Sequence, residues 1–140
     1  DLGDAWLTPE ASVAQVAVGT EAVAIGTAVN VFVQVSVDLL DSAPAGDADE
    51  FDHVAELSLH CGSGRLVMMG CTDYEPDAQR VAVPAGWLRI RAARGNLDRA
   101  YRADLASDES AETIERVRLQ IWPAPRAGTV LLKQWSPPAA

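Results

Sequence analysis

The sequence predicts an all-β fold, an antiparallel β-sandwich of jelly-roll type with eight or nine strands and one short helix near 98–106. Three observations carry that expectation. Apolar residues alternate with polar ones along most of the chain, which is the repeat of a half-buried strand. The apolar runs are short and are parted by Gly- and Pro-containing turns at the spacing of a sandwich or barrel. A period near four is prominent only around 97–112, where Leu97, Tyr101 and Leu105 suit one helix face.

Each element follows in order. "SVAQVAV" and "EAVAIGT" read as strands near 13–18 and 22–27, parted by Gly19-Thr20. The run 29–38 is a longer strand, with Val29, Val31, Val33, Val35 and Val37 on one face and Asn30, Phe32, Gln34, Ser36 and Asp38 on the other. "DSAPAGDADEFD" is a loop by composition. Strands 53–61 and 65–71 are expected to form a hairpin around Gly62-Ser63-Gly64, where glycine supplies positive φ. After the loop "TDYEPDAQ", strands 80–83 and 87–93 flank Pro84-Ala85-Gly86. Ala111, Ile114, Val117 and Ile121 would fit a helix, but Val117, Leu119 and Ile121 alternate with Arg116, Arg118 and Gln120 up to Pro123, so 114–122 is read as a strand. A last strand covers 129–135.

At 140 residues the chain fits one domain, 1–140, able to bury a core without staples. About half of its residues are apolar, as a globular chain requires. The most apolar stretch is interrupted by Thr27, Asn30, Gln34 and Ser36, so no membrane span is expected. No leader is visible, although a start at Asp1 rather than Met leaves room for a removed one; the cytoplasm is the expected compartment.

The stretch "HCGSGRLVMMGC" concentrates two cysteines and a histidine. In the expected hairpin Cys61 faces Arg65 and Cys71 faces Ala55, which separates the thiols by roughly 20 Å along the strand. A disulfide requires Cα atoms within about 7 Å, so none is expected. His53, His60, Cys61 and Cys71 fall at opposite ends of that hairpin, and no zinc spacing occurs. Cys61 shares a face with Leu57 and Leu59, where cysteine packs as a small hydrophobe. His60, its neighbour, points to the opposite face.

No nucleophile motif, phosphate loop or dinucleotide fingerprint is present, so no catalytic residue, no metal and no cofactor are expected. The loop holding Asp47, Asp49, Glu50 and Asp52 lacks the EF-hand pattern, and a loose calcium site there is the lesser reading beside a solvated acidic loop. Asp73, Tyr74, Glu75 and Asp77 could instead serve a carbohydrate or small ligand, or its hydrolysis, which is the alternative function.

The net charge of −9 is unevenly divided: residues 1–78 carry fourteen acids and the single cation Arg65, whereas 79–140 carry six acids and ten cations. If strands 87–93 and 114–122 lie in one sheet, Arg89, Arg91, Arg116 and Arg118 share a face with Trp87 and Trp122. Like charges across a sheet require an anionic answer. Glu112, Glu115 or the acidic loop could supply it internally, or a partner could, since arginine and tryptophan dominate binding hot spots. The acidic molecule repels nucleic acid.

The run "GCTDYEPDAQRVAVPAGWLRIRA", with "RVRLQIWPAP" and "VLLKQW", resembles a family of small bacterial all-β proteins and, more distantly, nuclease inhibitors of the competence protein J type. The resemblance covers about half of the chain. It implies a role in binding and inhibiting a partner protein, with no cofactor, and it carries no residue role onto named positions. The expected function is therefore a non-enzymatic protein-binding module of inhibitor or immunity type. Its expected contacts are Asp47, Asp49, Glu50, Asp52, Arg89, Arg91, Arg116, Arg118 and Trp122, and its partner is another protein, not nucleic acid or membrane.

Overall fold

A computed structural model describes residues 14–19, 22–26, 34–46, 50–68, 79–105 and 115–136. Strands are β1 (Val16–Val18), β2 (Val23–Ile25), β3 (Gln34–Leu39), β4 (His53–Cys61), β5 (Arg65–Met68), β6 (Gln79–Ala82), β7 (Gly86–Gly95), β8 (Arg116–Pro123) and β9 (Val130–Lys133); the helix α1 is Leu97–Leu105. The all-β class and its single short helix hold among the described residues. The expected strand 29–38 is described only from Gln34 onward.

Five strands form one sheet in the order β3-β8-β7-β4-β9, and β1-β2 and β5-β6 form two ribbons. The sheet has one apolar face, generated by the alternation. Ile90 on β7 lies opposite Leu57 on β4 and Ile121 on β8, and Ile121 lies opposite Leu39 on β3. Leu59 and Leu88 form the next row. Ala14, Val16 and Val83, with the partly buried Val23, Ile25, Leu66 and Val81, join the same core from the ribbon segments. What the described residues show of a second layer is these two ribbons. Near its other end the sheet is also covered on its polar face, by a cluster of Phe51, Val54 and Ala93. Truncating Leu57, which is fully buried, is expected to cost about 2–5 kcal/mol in a urea unfolding experiment. A loss below about 1 kcal/mol would place the core elsewhere.

Two expectations are corrected. The sheet is mixed rather than antiparallel, because β3 runs parallel to β8. The hairpin of 53–61 with 65–71 does not form: β4 pairs with β7 on one side and β9 on the other, and β5 pairs with β6. One edge of β4 is thus taken by β7 along its length, and the other by β9 at Val54–Glu56. The turn itself survives, with Gly64 at φ 73° and the Cys61 thiol donating to the Arg65 carbonyl at 3.4 Å. A carbonyl of Val83 lies 3.3 Å from where a Cβ of Gly64 would sit, which adds crowding to the backbone requirement. Cys61 carries a free, buried thiol; Cys71 lies outside the described residues.

Helix α1 opens at Asn96, whose left-handed φ of 61° suits asparagine. The amide of Leu97 donates to the Asp52 carboxylate at 2.9 Å, so a first-turn donor is satisfied from a distant loop. Leu97 and Ala100 are buried while Asp98, Arg99 and Arg102 are exposed, the pattern of an amphipathic helix. No described helix is long and apolar enough to cross a membrane.

Candidate functional site

Register decides which predicted contacts meet. Arg89 lies opposite Trp122, Arg91 opposite Gln120, and Arg118 opposite Ala93, so strands β7 and β8 do bring the arginines and both tryptophans to one face. Two of these arginines are answered from within by one carboxylate. Glu56 on β4 sits opposite Arg91 and accepts from its Nε at 2.7 Å, while an Arg89 nitrogen lies 3.9 Å from the other carboxylate oxygen. Arg89 also donates to the Pro125 carbonyl at 2.8 Å and Arg91 to the Ala45 carbonyl at 3.1 Å. Arg116 and Arg118 stand over the Phe51 ring at 5.4 and 4.5 Å, and Arg91 lies 5.9 Å from the Trp122 ring. Trp122 is buried.

The acidic contacts divide differently. Asp52 holds the helix start, and Glu50 is exposed on the turn before Phe51. Asp47 and Asp49 lie outside the described residues, as do Asp73, Tyr74, Glu75 and Asp77. Among the described residues no group of three His, Cys, Asp or Glu side chains could hold a metal ion. Glu115 answers a different cation, Arg94, in the interior.

That interior cluster is closed. Arg94 donates to Glu115 at 3.0 Å, with side-chain exposures of 1% and 0%. Another Arg94 nitrogen donates to the Gln15 side-chain oxygen. His53, opposite Arg94 in register, accepts the Trp135 amide on Nδ1 at 3.1 Å, so the ring proton sits on Nε2 and is donated to the Ala14 carbonyl at 2.6 Å. Burial holds the His53 pKa below its ordinary value; the Ala14 carbonyl opposes this and the Arg94 charge adds to it. The cluster ties together the segments at residues 14–15, 53, 94, 115 and 135, with Trp135 Nε1 donating in turn to Asp98 at 2.6 Å.

A second arrangement is open. Regular pairing of β7 with β8 ends at Leu88 opposite Pro123; beyond it the Ala124 amide donates to the Trp87 carbonyl at 3.3 Å, and His60 of β4 lies opposite Trp87 on the other side. The two rings meet edge to face at 5.1 Å. The segment after β8 folds back over this end of the sheet. It is fixed by the Arg89 bond to Pro125 and by the Ala127 amide, which donates to Ser58 Oγ at 3.0 Å. The Arg126 guanidinium thereby lies 5.7 Å from the Trp87 ring centre, a cation–π distance. The result is a cleft of about 770 Å³ whose lining includes Val18, Ser58, His60, Trp87, Arg126 and Thr129, with Gly19 and Gly128. Trp87 is 39% exposed there.

No family model, curated protein or solved structure matches the chain. The cleft must be read from its own residues. Sequence reasoning placed Trp87 on this face but passed over His60 and Arg126. The missed signal was an arginine braced by Pro123 and Pro125 directly after a strand that carries a tryptophan.

Proposed function

We propose that the protein is a non-enzymatic protein-binding module, of the inhibitor or immunity kind that the resemblance implies, and that its contact surface centres on the Trp87 cleft. The observation that carries this reading is an exposed tryptophan held between a histidine edge and an unsheathed arginine. Tryptophan and arginine are the residues that most often supply binding energy at interfaces. The 124–129 segment is already pinned by hydrogen bonds, so little ordering is left to oppose association. The internally paired Arg89 and Arg91, and the buried Trp122, serve this reading as a scaffold.

Capture from the native cell extract, at low and high salt, tests the proposal. The wild-type chain is expected to retain one protein, less of it as salt rises. Trp87→Ala is expected to weaken that association by about 2 kcal/mol or more, roughly thirtyfold, while leaving the unfolding midpoint nearly unchanged. Equal retention by both chains sinks the reading. Should no protein be held, and a glycan array give a signal abolished by Asp73→Ala, the carbohydrate alternative replaces it.

A further inference from the structure

We propose that the cleft takes a carboxylate-bearing peptide segment, with Arg126 as its cation and Trp87 as its apolar seat; this rests on the protein-binding reading above. The charge of the lining is the first argument. The chain carries 20 acids against 11 cations, yet among the described residues the cleft is lined by Arg126 and an imidazole and by no Asp or Glu. It is a cationic recess in an acidic molecule.

Arg126 also differs from the three arginines of β7. Arg89, Arg91 and Arg94 each face a glutamate, whereas no carboxylate of the described residues pairs with Arg126. A guanidinium held against an indole ring keeps its N–H edge free, and that edge matches the two oxygens of a carboxylate. The acidic surroundings decide between anions. A polyphosphate or nucleic acid meets the net charge of −9 along its whole length, but a single carboxylate on a short segment meets only the recess. An apolar side chain next to that carboxylate would cover the exposed Trp87 ring.

Gly128 offers a second position to test. Nothing lies within 4 Å of a Cβ built there, and its backbone needs no glycine, so a side chain can be added without a clash. Gly128→Glu adds a competing carboxylate two residues from Arg126, and Gly46→Ala, equally unhindered and outside the cleft lining, adds only a methyl group.

The experiment is an amide and indole NMR titration of the full chain with three acetylated, amidated pentapeptides. They place glutamate, glutamine or lysine on either side of a central leucine; free glutarate is the fourth probe. The glutamate peptide is expected to shift the Trp87 indole and Gly128 amide signals, and the glutamine peptide to bind about ten- to a hundredfold more weakly. The lysine peptide is expected to leave both signals in place. Arg126→Gln and Gly128→Glu should each abolish the response, and Gly46→Ala should keep it. Equal shifts from the glutamate and glutamine peptides overturn the inference while leaving the cleft as a peptide site. A response to glutarate alone overturns the peptide as source. Silence from all four probes overturns the carboxylate altogether, and the module reading then stands or falls on Trp87-dependent capture.

Discussion

Glu115→Ala is expected to destabilise the protein by about 3–5 kcal/mol. The carboxylate and the Arg94 guanidinium are both essentially inaccessible to water and 3.0 Å apart. Arginine keeps its charge at any ordinary pH, so the variant leaves a buried cation still bonded to the Gln15 side-chain oxygen. One guanidinium nitrogen, Nη2, has no hydrogen-bond partner among the described residues, which leaves little slack for a second loss. Removing both charges is a different matter. Arg94→Met with Glu115→Leu takes away the desolvation cost along with the attraction, and should cost far less than Glu115→Ala alone. Urea unfolding of the two variants checks this. A Glu115→Ala loss below about 1 kcal/mol would mean that water reaches the pair.

Acid should weaken the fold through His53. The unfolded chain binds a proton near the ordinary histidine value of about 6.5, while the folded site resists it. Between the two values the unfolded state holds more protons, so stability is complete above about pH 6.5 and falls as pH drops below it, by at most about 1.4 kcal/mol per pH unit from this one group. Geometry gives the same sign. Protonating Nδ1 would set an N–H against the Trp135 amide and add a charge beside Arg94. His53→Gln can accept from Trp135 and donate to Ala14 without titrating. Urea midpoints from pH 5 to 8 should therefore converge at low pH for the two proteins, with the wild type the more stable at neutral pH. Parallel curves would remove His53 as the cause.

The strands were largely readable, because a period of two is a local property. His53–Cys61 matches its expected bounds, and the helix lies within a residue of its own. Pairing was not readable. Gly62-Ser63-Gly64 is a sound turn signal, and sequence neighbours usually pair. The strand it leads out of is nonetheless flanked by β7 and β9, and nothing local in "HVAELSLHC" marks that. The parallel step from β3 to β8 leaves no local trace either. At the site, alternation placed Trp87 and Trp122 on one face correctly. Their opposite fates depend on where the β8 ladder ends, a fact of three dimensions. Glu56, which answers two arginines, looked like any polar residue of an alternating strand.

The parallel pairing of β3 with β8 also sets an order in time. A strand near the beginning of the chain cannot take its place in the sheet until the ribosome has delivered Arg116–Pro123. Its sequence of alternating valines is of the kind that adheres to other exposed strands while it waits. Gln34, Ser36 and Asp38 interrupt that run at every second position, and Asp41 follows at its end. Polar residues at such positions keep an unpaired strand from adhering to others, a benefit that would precede the finished fold.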